Sequence, residues 1–476
     1  MRSVMDHDFG VNPQVPLQRS SFDRSHGHKT TFDAGKLIPI YVDEALPGDT
    51  FSMKMSGFGR LSTPIHPIMD NMFIDVHFFS VPMRQLWTNF RKFCGEQEDP
   101  GDSIDYTMPI VNVSAGPGEG TFEDHIGIPI GNPIQYNALF YRAYQHIFNE
   151  WYRDQNLVDS QNMDVSDATL VAAGGNSLLV RGKRHDYFTS CLPWPQKGTG
   201  VTLPLGTEAP VIGFGILDTQ TDQWATSNKD VLENNFTDAG NPDTYTMWMD
   251  ANLNSSALIF EGRQTGVGSD RAPNVRVDLT NASSATINQL RESFQIQKLL
   301  ERDARAGTRY AEVVKGHFGV DFIDLTHRPE FIGGGTSLVN INPVAQTSST
   351  DATTPKGDLS AFGTVGLNNI GFNKSFNEHC IVMGIASVRA DLTYQQGLNR
   401  MFSRSTRYDY YWPSLAHIGE QAVLSKEIFS DGTANDEDVF GYQERYAEYR
   451  YKPSNVSGRF RSDATTPLDR DWEYFF

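Results

Sequence analysis

Several short stretches near both ends of the chain alternate apolar with polar residues. Leu37-Ile-Pro-Ile-Tyr-Val42 reads as extended, and Asp43-Glu-Ala-Leu-Pro-Gly-Asp49 supplies a turn after it. Phe51, Met53 and Met55 then alternate with small or polar residues. Between Phe73 and Val81, Ile74, Val76 and Phe78 share one face while Asp75 and His77 take the other, the pattern of a half-buried strand. Val382 to Leu392 and the aromatic-rich Tyr442 to Tyr451 predict two more strands.

Two segments carry helical spacing instead. From Asn137 to Arg153, Leu139, Ala143, Ile147 and Trp151 recur every fourth residue, with Phe140, Tyr144 and Phe148 widening the stripe. Thr286 with Gln289 suggests a capping box opening a helix through Leu290, Phe294 and Leu300 towards Ala304. No internal repeat or heptad seam is present. Strands at both ends, with helices only in the connections, predict an all-β fold: an antiparallel sandwich with elaborated loops. Periodicity does not separate a jelly roll from other sandwiches.

Between these patterned regions, residues 196–285 carry 5 Lys+Arg against 11 Asp+Glu and are dense in Gly, Asn, Asp, Thr and Ser. So long a solvated excursion predicts a surface insertion that presents itself to something, rather than a packing element. The expected organisation is a shell of residues 1–195 and 286–476, with 196–285 as a protrusion.

Composition narrows the class. In 476 residues, aromatics reach 12% while AVILMFWYC total only 39%, and 41 Gly and 24 Pro favour strands and turns over long helices. A formal charge of −18 argues against a protein whose whole surface grips nucleic acid, though not against a local basic patch. Three scattered cysteines, Cys94, Cys191 and Cys380, read as reduced, buried thiols. Residues 1–20 contain no apolar signal-peptide core and no run approaches a membrane span, so neither classical export nor membrane insertion is expected.

Catalytic signals are weak. His26-Gly-His28 has no third ligand at a metal spacing, which favours a surface or interface role. His379 and Cys380 are adjacent and would point to opposite faces of a strand. Gly333-Gly-Gly335 lacks the Lys and helix of a phosphate loop and reads as a turn. Asn235-Phe-Thr237 and Asn281-Ala-Ser283 match glycosylation acceptors, which mean little without a secretory route.

Two basic patches carry more. Arg302, Arg305 and Arg309 would line one face if their helix continues that far, for salt bridges to a neighbouring subunit or for phosphate contact. Arg445, Arg450, Lys452, Arg459 and Arg461 stand among Tyr446, Tyr449, Tyr451 and Phe460. Such interleaving suits single-stranded nucleic acid, where cations hold phosphates and rings stack on bases. It equally suits a sheet face of ordinary cross-strand pairs, because Glu444 and Glu448 dilute the charge.

The residues also resemble a known family, the major capsid proteins of gokushoviruses, small icosahedral bacteriophages of the microvirus group with circular single-stranded DNA. Phe22-Asp-Arg-Ser25, Lys29-Thr-Thr-Phe32, Leu37 to Glu44, Leu46-Pro-Gly-Asp-Thr-Phe51 and Arg60-Leu-Ser-Thr-Pro64 carry the likeness first. Phe188-Thr-Ser-Cys-Leu-Pro-Trp-Pro-Gln-Lys-Gly198, Leu299 to Tyr310, Arg328-Pro-Glu330, Gln346-Thr-Ser348, Gly441-Tyr-Gln-Glu444 and Tyr449-Arg-Tyr-Lys-Pro453 continue it in order. The resemblance implies a single eight-stranded antiparallel jelly roll, no enzymatic activity, and roughly sixty copies closing an icosahedral virion shell by way of pentamers. It implies assembly in the host bacterial cytoplasm, packaged single-stranded DNA, and a protrusion at the threefold axes that meets a bacterial surface receptor. Trp224, Tyr245, Trp248 and Met249 are the insertion's large apolar candidates for that contact.

A shell of such acidic chains does not neutralise DNA, so a small basic DNA-associated protein or bound cations are expected inside. No cofactor is expected; a divalent cation in the shell stays open. The competing class is a β-sandwich carbohydrate-binding protein or glycoside hydrolase, which would need paired carboxylates across an aromatic cleft.

Overall fold

The computed structural model describes residues 18–62, 70–202, 211–212, 229–232, 244–249, 258–261, 276–277, 287–321, 326–345, 347, 359–458 and 461. Contacts gather the chain into two units, Met1–Pro193 with Asp321–Ala416 and Gln421–Phe476, and Trp194–Val320 with His417–Glu420.

The first unit is built on seven strands: β1 Ile38–Ala45, β2 Thr50–Arg60, β3 Met72–Pro82, β4 Glu330–Leu338, β5 Asn340–Ala345, β6 Leu359–Ser375 and β7 Cys380–Ala390. They form two antiparallel sheets, ordered β1-β7-β3-β4 and β5-β6-β2. The chain switches sheet after β1, β2, β4 and β6, and the first and last of the seven strands lie side by side. Non-sequential neighbours and repeated crossing between two sheets are the marks of a jelly-roll sandwich. Among the described residues the two sheets hold seven strands.

Alternation dictates how the sheets meet. Ile74, Val76 and Phe78 of β3 and Val382 and Ala386 of β7 pack against Val365, Leu367 and Phe372 of β6. Phe51, Met53 and Met55 of β2 turn into the same core, while Lys54, Phe58 and Arg60 face outward. β2 lies at a sheet edge, where outward Lys and Arg oppose edge-to-edge aggregation. The opposite edge strand, β5, carries Pro343, which cannot donate to a ladder.

The other face of the four-stranded sheet is covered too. Helix α1, Leu139–Ile147, continues through a π turn at Phe148–Tyr152. Its Leu139, Ala143, Tyr144 and Ile147 pack with Trp87 onto Phe79, Val81, Ile381, Met383 and Ile385. This double cover explains the unbroken apolar run Ile381–Ala386 in β7, since a strand buried on both faces needs no alternation. The Tyr144 hydroxyl donates to the Leu37 carbonyl at 2.7 Å and accepts the Leu179 N–H at 2.9 Å, tying helix, β1 approach and loop at one atom.

The expected half-buried β3 is therefore corrected. Asp75 is 6% exposed, and its carboxylate meets Arg181 at 2.8 Å, Arg389 at 3.0 Å and the Thr336 hydroxyl at 2.6 Å. Burial alone would raise its pKa; Thr336 and the two guanidinium groups outweigh that and leave it lowered. Beside it, His77 stacks on Tyr152, whose hydroxyl is 2.9 Å from Nδ1.

Burial, then the nearby Arg181 charge, pushes His77 down to about 4, and burial does the same to His146. A histidine depressed in the fold binds its proton in the unfolded chain first. Its destabilising effect begins as pH falls below the ordinary value near 6.5 and is complete below about 4. Asp75 adds a loss at still lower pH. Urea unfolding of the subunit is therefore expected to show an unfolding free energy that falls between pH 6.5 and 4, by up to about 3 kcal/mol per histidine, with the midpoint falling in step. His77→Gln should flatten the profile; an unchanged slope would remove His77 from the account.

Gly333-Gly-Gly335 is not a turn. All three residues lie within β4, just after a bulge between Phe331 and Gly333. A Cβ on Gly333 would stand 2.6 Å from the Gly371 carbonyl oxygen, and one on Gly334 2.5 Å from that of Val76. The glycines let backbone meet backbone, a requirement that turn statistics do not register.

The cysteines divide. Cys380 is buried in β7 and Cys191 is half-buried, their thiols pushed by burial up to about 11 and about 12. Cys94, expected to be buried, is exposed at the end of the short Phe90–Phe93 helix. Mild alkylation of the folded subunit should add a single adduct, mapping to Cys94 by peptide mass spectrometry. Early adducts on Cys380 would contradict its place in the sheet.

The second unit is described in part. Helix α2 runs Ile287–Ala306 and helix α3 Tyr310–Phe318. Thr286, the expected cap, lies outside the described residues. Within the insertion, Thr244–Met249 pairs antiparallel with both Lys229–Leu232 and Leu258–Glu261, and Val211–Ile212 pairs with Arg276–Val277.

Candidate assembly and nucleic-acid surfaces

The arginines at the end of α2 are separated by the chain's own geometry. Gly307, at φ +105°, stops α2, and Arg309 becomes the N-cap of α3. Arg302 and Arg305 thus sit on one helix while Arg309 opens another, so no common face forms. Arg305 binds the Glu420 carboxylate and the Gly419 carbonyl; Arg309 reaches Glu312 at 3.1 Å. His317 meets Asp303 at 2.6 Å, and the Lys197 ammonium donates to Gly307 and Thr308 at 3.3 Å each. Two of the three arginines therefore serve this unit internally, and Arg302 stays exposed.

The same helices leave large apolar side chains in solvent. Ala304 is the only buried residue of α2, whereas Ile287, Phe294 and Leu299 are more than half exposed and Phe318 of α3 is 77% exposed. In the first unit, Phe58 on the outer face of β2 is equally bare. Exposed aromatic and branched groups on ordered elements mark contact surfaces.

The C-terminal segment departs from the expected strand. Strand pairing covers Val439–Glu444 only, beside Glu420–Leu424. Tyr446 then takes a left-handed φ of +65°, which ends the strand and starts a tight turn at Ala447–Tyr449. Its N–H donates to Gln421 and its hydroxyl to the Tyr408 carbonyl at 3.1 Å, holding that conformation. A turn, rather than a sheet face, thus displays Tyr449, Arg450, Tyr451 and Lys452, all exposed, with Arg445 half-buried.

Arg450 pairs with Glu444 and lies over the Tyr451 ring, and Arg445 lies over Tyr446. Arg461 is exposed, with its Nε donating to the Val456 carbonyl at 3.3 Å; Arg459 falls outside the described residues.

Sequence reading missed the partner of this turn. Met401–Trp412 brings Tyr411 against Tyr446 and Tyr449, with ring centroids 5.4 and 6.1 Å apart. Arg404, held by Glu448 at 3.2 Å, covers the Tyr449 ring at 4.2 Å and faces Tyr410 at 5.6 Å. The signal was present in Arg404-Ser-Thr-Arg-Tyr-Asp-Tyr-Tyr-Trp412, which alternates cations and aromatics as densely as the C-terminal stretch.

The insertion candidates lie on its three-stranded sheet, with Tyr245 paired to Val231, Trp248 to Ile259 and Met249 to Leu258; Trp224 lies outside the described residues. His26 stacks on Tyr41 in an extended, exposed arm, and His28 is exposed on the same arm. No group of three metal-ligating side chains occurs among the described residues, and none of their helices is long and apolar enough to cross a membrane.

A shallow groove of about 300 Å³ pairs Phe429 and Phe440 with Asp431 and Asp436, the kind of setting a sugar site would need. Both carboxylates are spent on their own loop. Asp431 accepts from Thr433, and Asp436 from Ser430, Asp431 and Gly432. That geometry builds a turn.

Comparison with known proteins agrees with the sandwich. The chain is 44% identical to the capsid protein VP1 of Bdellovibrio phage phiMH2K over 470 residues, 97% of this chain and 86% of that protein. It is 41% identical to capsid protein VP1 of Chlamydia phage 1, covering 98% and 88%, and 36% identical to that of Spiroplasma virus 4, covering 97% and 86%. The family described as Capsid protein (F protein) matches residues 12–475. A jelly-roll sandwich and full-length likeness lead to one statement: this chain belongs to the Phage F family of capsid proteins.

Proposed function

We propose that this chain is the shell subunit of a small icosahedral single-stranded DNA bacteriophage, without enzymatic activity, about sixty copies of which enclose the genome. The observation that carries this reading is the sandwich itself, with apolar side chains left bare on ordered elements, in a chain of the capsid family. Phe58, Phe294 and Phe318 are among the side chains that gain from burial against other copies, and exposed Arg302 lies on the same helix as Phe294.

Residues 196–285 form the protrusion that meets the bacterial surface, with Trp224, Tyr245, Trp248 and Met249 as contact candidates. Arg445, Arg450, Lys452, Arg459, Arg461, Tyr449 and Tyr451 face packaged DNA, whose remaining charge is balanced by a small basic protein or by cations. Assembly takes place in the host cytoplasm and the mature location is the virion.

Sedimentation of the purified chain, with electron microscopy of the fast fraction, tests the reading. Closed particles, or pentamer-sized species that a partner protein converts to shells, are expected. A chain that stays monomeric under varied salt, calcium and DNA would sink it. Alanine replacement of insertion carboxylates should leave assembly intact.

A further inference from the structure

Resting on the capsid reading, we propose that Met401–Trp412 and the Tyr446–Tyr451 turn form one stacking platform for single-stranded polynucleotide. Tyr408 and Trp412 are its outer rings, and Arg407 is the phosphate contact between them. The two segments are one structure. Tyr411, Tyr446 and Tyr449 interlock edge to face, and the Tyr411 N–H donates to the Tyr449 hydroxyl at 3.3 Å.

Only Tyr446 of that junction is buried; Tyr411 and Tyr449 are about half exposed, and the neighbouring rings are open as well. Tyr408 is 60% exposed, Tyr410 54% and Trp412 42%. The Trp412 indole N–H donates to the Arg407 carbonyl at 2.8 Å, so the ring is positioned rather than loose. Arg407 stands 5.6 Å from the Tyr408 ring centre and 5.3 Å from that of Trp412. Ring, cation, ring is the order in which a single strand presents base, phosphate, base, and this alternation favours a polynucleotide over the apolar face of another subunit.

Charge supports the same occupant. Met401–Trp412 holds two arginines and one aspartate, in a chain whose total is −18. Asp409 is occupied by the Ser405 and Thr406 N–H groups, Glu448 by Arg404, and Glu444 by Arg450. Arg407, Arg445 and Lys452 have no carboxylate partner among the described residues, so they remain for phosphate. Nothing in the platform reads base edges, so binding is tolerant of sequence and weakened by salt.

Ultraviolet cross-linking of intact, filled particles, followed by tryptic mapping, tests the proposal. Nucleotide adducts are expected on the peptides spanning 408–426 and 446–450. Nitration should modify Tyr408 and Tyr410 in genome-free particles and spare them in filled ones. Rings protected in both particle types would make the patch a contact between subunits and overturn the proposal, as would adducts confined to other peptides.

For the full-length subunit, Tyr408→Leu and Trp412→Leu should each weaken binding of an oligodeoxythymidylate probe about tenfold. Unchanged affinity would again overturn it. Should the wild-type chain form no particles at all, the capsid reading itself fails. Particles that form but lack these adducts defeat the platform alone.

Discussion

Asp75→Ala is expected to cost the subunit about 3–5 kcal/mol, the loss seen when one partner of a buried ionic group is removed. The carboxylate sits between Arg181 and Arg389, with side-chain exposures of 13% and 17%, and among the described residues it is the one anion on which both converge. Arg181 also donates to the Ser387 hydroxyl at 2.6 Å, and Arg389 to the Gly182 carbonyl at 3.3 Å. These neutral acceptors hold the guanidinium groups in place but do not balance their charge. Without Asp75, two cations face each other across β3, β7 and the loop that carries Arg181. A domain with a total stability of about 5–15 kcal/mol loses a large share of it. Asp75→Asn keeps an acceptor for Thr336 and should recover part of the loss. Urea midpoints of the three subunits decide the matter; an alanine variant within about 0.5 kcal/mol of the parent would show that the cluster relaxes into solvent.

The second large effect concerns Gly371 on β6. An added Cβ there would stand 2.0 Å from the Met53 carbonyl oxygen and 3.0 Å from the Lys54 Cα. Both are backbone atoms of β2, so no rotamer change relieves the clash. Either β2 shifts away or the ladder between β6 and β2 breaks beside the bulge at Leu367/Ile370. Overpacking costs of about 1–3 kcal/mol are typical where side chains can adjust, and this site lies at or above the top of that range. Gly371→Ala should therefore give little soluble subunit and few particles. Gly366→Ala on the same strand is the control, because open space surrounds its Cβ position. Equal yields from the two variants would mean that β2 is freer to move than its paired register suggests.

These two positions also show where sequence reading stopped. The alternation of Phe51, Met53 and Met55 identified the inner face of β2, which buries one face only, and the fourfold spacing from Leu139 to Ile147 identified the apolar stripe with which α1 meets the sheet. β3 is buried on both faces, so Asp75 and His77 looked like a solvent side when they are a neutralised cluster and a ring stack. Periodicity records which residues differ from their neighbours; the α1 layer that covers them comes from another part of the chain. Gly333-Gly-Gly335 failed for a related reason, since the need for glycine lies in strands the local sequence does not contain. The strand expected to reach Tyr451 ends at Glu444 because Tyr446 adopts a backbone region that a bulky residue rarely visits. In the surfaces, the C-terminal cations and rings were legible as chemistry, but their junction with Met401–Trp412 depends on tertiary packing.

The side-by-side placement of β1 and β7 has a kinetic meaning. Ile38 pairs with Ala386, so the central sheet cannot close until most of the chain has left the ribosome. Until then β3 and β1 present unpaired edges and apolar faces in a crowded cell. Folding of this subunit is expected to be slow and dominated by long-range pairing, and the supply of finished subunits, more than their encounter, would then pace the growth of shells.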